Sequence, residues 1–567
     1  MKRLLFFLLI GIAVLIGGLK IYFIYVPVEL PSHVDLQWKA GPVVHLLPTV
    51  SHNRILVKAS FKSPFAKPPS LLIDGRVFGG TKTDTKGYFW CFDAPGLESG
   101  KKYELILQDE AGKILCDPWP LATFPAPQDK PQRLRLLIYT GLGGHDAHIE
   151  WFGSGPLPLS TRIRLLKRAL SFNPDALISS GDQIYFDLRY DKSAKTMGDS
   201  MRSIVQVGKF DPSLPVLGTE NEEILKRAVG PQIANLYGTS CRSLPTFFLL
   251  DDHDYFENDI ATEKDGFDIR LLLLAWRSPF FKGGISFPPD PFMLDLGRNS
   301  QKLYLPEFLP DEKRPADLPG SNAPNRSPGV SECYGTLRYG NLFEGLLYES
   351  RRFTTLTGKD AVMIHPQAEK WLGSRMAAEE TLHVVNLPAT VFGWSAGKWM
   401  EWYPDILGDD GKLTTTQPKY KWQEGWFEQQ KRILQAASAM KKSLPLFICG
   451  DLHCQGAEKI LKSGNLSLGK NPVLSVLSGS LGTGPRGFPS GFRGVLAAPP
   501  TDLKAEPLLP VLEKNGFVIA DFTSENVTIQ FFAWKPPEPV EKIDTLQPYK
   551  ILELKLPGSF NLHHPAK

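Results

Sequence analysis

The stretch Pro245–Asp259, PTFFLLDDHDYFEND, passes from an unbroken apolar run, Phe247 to Leu250, straight into Asp251, Asp252, His253 and Asp254. A short apolar run of this kind reads as a buried strand. Carboxylates set side by side at its end repel one another, and the arrangement is costly unless something positive sits among them. The structural alternative is a helix N-terminus, where Asp is welcome.

Two other segments repeat the pattern. PDALISSGDQIY (Pro174–Tyr185) is a buried strand that ends on Asp182 and Tyr185, and LPLFICGDLH (Leu444–His453) ends on Asp451 and His453. Taken singly, a Gly-Asp after a strand is most simply a turn, Tyr185 a half-buried aromatic, and Asp-x-His a weak signal. Their coincidence at three strand ends carries the inference.

RLRLLIYTG (from Arg133) reads as a further buried strand. STRIRLLKRALSF follows, with Ile163, Leu166 and Leu170 at helical spacing and Ser160 as its expected N-cap. With the strand before Asp182 this makes a β-α-β unit, the mark of a mostly parallel sheet with helices outside. FEQQKRILQAASAMKK reads as another helix, and GFVIADF and NVTIQFFAW as closing strands. In open α/β sheets the strands' carboxyl ends share one crevice, so Asp182, Tyr185, Asp252, His253, Asn258, Asp451 and His453 are expected to converge there. Such donors suit hard or borderline metal ions, and there are more of them than one catalytic ion needs. A two-metal site that clamps a phosphoryl group for in-line displacement is the chemistry expected.

At 567 residues the chain exceeds one core. Residues 34–127 alternate and are broken by D-G and G-G turns, as in a small antiparallel sandwich. Residues 133–535 are then the catalytic domain and 536–567 a polar, peripheral tail. The first 27 residues, MKRLLFFLLIGIAVLIGGLKIYFIYVP, are basic and then apolar, which describes a secretory signal or a single uncleaved anchor. No cleavage site is evident, so an anchored, exported protein is expected. A formal charge of +4 with no strong basic stripe gives no sign of a nucleic-acid-binding patch. Cys91 and Cys116 fall in the same region and are candidates for a disulfide. The Pro/Gly-rich segment 283–330 is read as a lid, insertion or loop. GSLGTGPRGFPSGFRG lacks the ending of a phosphate-binding P-loop and is read as a surface loop near the site. His563 and His564 are read as solvated.

The motifs GDQIY, DDHD…EN and GDLH followed by LSGS resemble, in kind and order, those of the PhoD-like metallophosphatases, the alkaline phosphatase D family. YGTLRYGNLFEGLLYESRRF, QAEKWL and GLESGKKYELIL…PLATFPAP extend the resemblance over most of the chain. It implies a four-layer α/β/β/α metallophosphoesterase core and hydrolysis of phosphomonoesters or diesters. It also implies two or more divalent or trivalent metal ions, Fe3+ and Ca2+ in the family, with Mn2+ or Zn2+ as alternatives. Carried over residue by residue, Asp182 bridges the metals, Tyr185 is a phenolate ligand, and Asp252 stands at a metal-binding Asn. Asp451 and His453 complete the shells, Asn258 contacts calcium or phosphate, and His253 steadies the transition state or protonates the leaving oxygen.

Two positions depart from the family. Its first strand ends in Ser-Cys, whereas Thr140 and Gly141 stand here; Asp146 and His148 are the candidate replacements. Its Asp-Thr-Arg becomes Glu349-Ser350-Arg351, leaving Arg351 as a phosphate contact or a structural ion pair. The competing reading is a degenerate member that binds a ligand or partner without turnover.

Overall fold

The computed structural model describes residues 38–144, 156–186, 210–255, 291–320, 326–398, 401–416, 419, 422–485 and 487–556, with Gly11. The N-terminal apolar segment expected as an anchor, and Asp146, His148, Asn258, His563 and His564, lie outside the described residues. Among those described, no helix is long and apolar enough to cross a membrane.

Residues 43–122 form two four-stranded antiparallel sheets. Their strands alternate, so Leu46, Ile55, Val57 and Phe92 of one sheet share a core with Leu71, Ile73, Leu105 and Trp119 of the other. Cys91 and Cys116 are both free thiols. Cys116 lies in the core between the sheets, whereas Cys91 packs against Leu56, Leu309 and Val330 in a separate cluster, so the expected pairing is not made.

Two larger sheets follow. The first runs in the order Thr246–Leu249, Ala176–Ser180, Arg133–Tyr139, Asn515–Thr523, Asn526–Trp534, Lys550–Lys555. Its first three strands are parallel and the rest antiparallel. The second has Phe343–Tyr348, His383–Pro388, Leu446–Cys449 and Val473–Ser478 in parallel, flanked by the antiparallel strands Tyr334–Tyr339 and Gln455–Ser463.

The layering follows from the two-residue period of a strand. In Arg133–Tyr139, Leu134, Leu136 and Ile138 enter the core between the sheets, while Leu137 and Tyr139 face the helices Leu159–Leu170 and Glu220–Tyr237. In Leu446–Cys449, Leu446 and Ile448 face the same inter-sheet core, and Phe447 and Cys449 face the helices Pro366–Ala378 and Glu424–Ser438. Strands buried on both faces read as continuous apolar runs, and the result is four layers, α/β/β/α.

Two local expectations are corrected, and the tail gains a strand at the edge of a sheet. The helix Leu159–Leu170 is capped at Pro158 without a side-chain hydrogen bond, and Ser160 sits inside its first turn. Segment 283–330 is not loop throughout, since it contains the helix Pro291–Tyr304. The residues past Pro536 supply the edge strand Lys550–Lys555 of the first sheet.

Candidate metal centre

The parallel strands of both sheets end at one edge, and the chain is made to turn sharply there. Asp182, Asp451 and His453 all have left-handed backbones, at φ 58°, 69° and 60°. That conformation is unfavourable for side chains other than Asn, Asp, His or Gly, and it marks sites where the surrounding structure over-determines the backbone. Gly450 shows how closely the two sheets meet: a Cβ there would lie 2.0 Å from the Ser180 carbonyl oxygen. This contact sets Asp451 beside Asp182. Thr140 links both ends, its hydroxyl donating to Ser180 O at 2.8 Å and accepting from Asp451 N at 3.4 Å.

Asp254 is a brace that the sequence did not single out. Its carboxylate accepts from Asp251 N at 2.9 Å, Gln183 N at 3.3 Å and Ile184 N at 2.7 Å, which ties the DDHD turn to the GDQI turn.

Three donor atoms then converge. Asp182 Oδ2 lies 2.7 Å from His453 Nε2 and 3.1 Å from Tyr185 Oη, and the last two are 3.0 Å apart. Ligand atoms about 2.1 Å from one ion at right angles are about 3 Å from each other, so the spacing suits a single coordination shell. His453 Nδ1 faces the Gly487 carbonyl at 3.1 Å, to which it can donate. That bond selects the tautomer whose Nε2 lone pair faces the other two donors. The second oxygen of Asp182, Oδ1, is buried with no hydrogen-bond partner among the described residues. An orphaned carboxylate oxygen beside an oxygen- and nitrogen-rich donor set fits a metal ion. Burial pushes the Asp182 carboxyl up, but the His253 and His453 imidazoles and the Lys398 ammonium offset it and hold the group below the ordinary carboxylate range.

Next to this triad Asp251, Asp252 and Asp451 present oxygens within 4.8 Å of one another, and Asp182, Asp252 and His253 form an overlapping group. Side-chain cations reach the acids. Arg351 Nε donates to Asp251 Oδ1 at 2.5 Å and its Nη2 lies 3.4 Å from Asp451 Oδ2. Arg351 is 0% exposed and pairs with these acids inside the protein. Lys398 Nζ donates to Asp451 Oδ1. Burial, together with Asp451, Asp252 and Asp182, pushes the Asp251 carboxyl well up against the opposing pull of Arg351.

Glu349 points elsewhere: it accepts from Leu250 N at 3.2 Å and from the Tyr255 hydroxyl at 2.9 Å, with Arg352 3.4 Å away. His253 is half-buried, and its ring lies against that of Tyr185 with centroids 4.3 Å apart.

The structure therefore brings together Asp182, Tyr185, Asp252, His253, Asp451 and His453. It adds Asp251, Lys398 and the Gly487 carbonyl. At the position where the family carries a cysteine, a Cβ on Gly141 would lie 2.9 Å from His453 Nε2. Ser480 Oγ, at 2.7 Å, and the imidazole together crowd the space into which a side chain at 141 would project.

The sequence matches no family model and no curated protein. Among solved structures it is similar to PhoD, at 12% identity and a TM-score of 0.51 over 87% of either chain. It is also similar to a purple acid phosphatase from yellow lupin (Lupinus luteus) seeds, at 13% identity and a TM-score of 0.51 over 91% of this chain and 74% of that one. At these identities the likeness is one of fold alone.

Proposed function

We propose that the chain is a metal-dependent phosphoesterase. The observation that carries the reading is the meeting of Asp182 Oδ2, Tyr185 Oη and His453 Nε2 within 3.1 Å of one another, on a fold that PhoD and a purple acid phosphatase also use. A metal ion held by these residues would supply a water of lowered pKa and positive charge for the phosphoryl oxygens. Asp182 belongs both to the triad and to the group it forms with Asp252 and His253. The phenol of Tyr185 favours a trivalent ion such as ferric iron, with calcium, manganese or zinc as alternatives for this set of oxygen and nitrogen donors.

His253 is the imidazole suited to proton transfer, because it is half-buried and its ring is fixed against Tyr185. In the protonated form it can hand a proton to the departing alkoxide oxygen. Arg351 holds Asp251 and Asp451 in place from below. The N-terminal segment is read as an uncleaved anchor that sets the catalytic part on the exported side. Membrane fractionation with protease protection tests that part separately.

The experiment is metal analysis of the purified chain, with hydrolysis of a chromogenic monoester and diester on the same sample. Bound metal and chelator-sensitive turnover support the reading, and the diester ratio tells a phosphodiesterase from a phosphomonoesterase. A folded chain that stays inert after reconstitution with iron, calcium, manganese or zinc would replace it with the binding-only alternative.

A further inference from the structure

We propose that Lys398 takes the place of a second metal ion, so that the centre holds one metal at Asp182, Tyr185 and His453 and a fixed ammonium between Asp252 and Asp451. The inference deepens the phosphoesterase reading and rests on it.

The argument starts from Asp451. Its Oδ1 accepts from Lys398 Nζ, and its Oδ2 lies 3.4 Å from Arg351 Nη2. Both oxygens of the carboxylate that would close a second metal shell thus face side-chain cations. The same Nζ lies 4.0 Å from Asp252 Oδ2, so it sits between the two acids that a second ion would join. Asp182 differs in its ion pairing: its Oδ2 faces His453 and Tyr185 rather than a lysine or arginine side chain, although Asp182 Oδ1, like Asp451 Oδ2, has no hydrogen-bond partner among the described residues. Asp451 is thus in direct contact with the protein's own side-chain cations, whereas Asp182 meets an imidazole and a phenol and lies farther from the Lys398 ammonium. A metal ion placed beside Lys398 would bring two positive charges into contact.

The lysine is built into the fold. Its side chain is 16% exposed, and a buried ammonium requires acidic partners. The backbone leading to it is pinned on several sides. Ser395 N donates to Ala498 O at 2.9 Å, Ala396 N to Glu401 Oε1 at 2.8 Å, and Gly397 N to Ser395 Oγ at 3.1 Å. Arg493 Nε donates to Ala396 O at 3.0 Å, and Lys419 Nζ donates to the carbonyl of Lys398 itself. An ammonium is a compact point charge that binds phosphoryl oxygens, so Lys398 can supply the electrostatic part of a second ion's task.

The test counts metal per chain by elemental analysis, on the full-length protein reconstituted with iron, calcium, manganese or zinc. Wild type is expected to hold one ion, Lys398→Met two, and Lys398→Arg, which keeps the charge, one. Two ions in wild type would overturn the role of Lys398 and leave the phosphoesterase reading standing. One ion in both wild type and a folded Lys398→Met would also overturn it, since the ammonium would not be what excludes the second ion. Should Lys398→Met fail to fold, Lys398→Gln takes its place, with two ions expected and a count of one overturning the role of the ammonium. No bound metal in any of the chains would remove the phosphoesterase reading itself, and this inference with it.

Discussion

Glu458 allows a prediction whose sign and size both follow from its surroundings. It lies on the strand Gln455–Ser463, opposite Ser475 on one side and Pro507 on the other, and is 1% exposed. Neither carboxyl oxygen has a hydrogen-bond partner among the described residues. Burial is the cause that raises its pKa well above the ordinary 4.5. The unfolded chain releases this proton above that pH while the folded chain keeps it. The unfolded state then binds fewer protons, so this group's contribution to stability falls as pH rises from the unfolded pKa towards the folded one.

The slope is about 1.4 kcal/mol per pH unit, and pH 7 lies about 2.5 units above the unfolded value, so the loss at pH 7 is at most about 3.4 kcal/mol. Glu458→Gln is uncharged in both states and should remove this slope. Any cost of burying the amide is independent of pH and cancels when pH values are compared. Urea denaturation followed by tryptophan fluorescence from pH 5 to pH 8 reads the difference directly. The variant should gain on wild type with each unit of rising pH. Parallel stability curves for the two proteins would refute the reasoning.

Other outcomes are expected at the metal centre. His253→Ala should keep its metal and lose about 10²–10⁴-fold in hydrolysis rate, and unchanged turnover would remove its role in proton transfer. Arg351→Met leaves Asp251 without its counter-charge at a site where both side chains are 0% exposed, and should cost about 3–5 kcal/mol by denaturant titration. The comparison is Arg164→Met, whose partner Asp544 is 54% exposed and whose loss should cost less than about 1 kcal/mol. Gly450→Ala puts a methyl group 2.0 Å from the Ser180 carbonyl and should force the two strand ends apart, with loss of bound metal. Full metal content in that variant would show that the close approach does not set the ligand spacing.

Much of this architecture is legible in the chain because strands buried on both faces write themselves as apolar runs. The end of each run then points to Asp182, Asp252 or Asp451. Other parts depend on tertiary placement. Lys398 lies in GWSAGKWM, where no charge density or periodicity distinguishes it from a surface lysine. Its meaning comes from a partner 53 positions away. Arg351 meets Asp251 across 100 positions, which is why the sequence left its two roles open. Asp254 looks like one more ligand in DDHD, yet three backbone N–H groups claim it. The helix Pro291–Tyr304 was obscured by the proline and glycine around it. Asp146 and His148, read as replacements for the family's cysteine, lie outside the described residues, and the crowding of Gly141 by Ser480 and His453 comes from two motifs far away in the chain.

The left-handed turns at Asp182, Asp451 and His453 also bear on how such a protein can change. Glycine and asparagine are the residues that this backbone accepts most easily, and a random walk released from chemical duty would drift towards them. Three positions that keep acidic or imidazole side chains on a backbone better suited to glycine are held by two requirements at once. A saturation library at these sites, scored separately for folding and for metal uptake, should therefore give two different lists of tolerated residues. Glycine and asparagine should stand high on the first and be missing from the second.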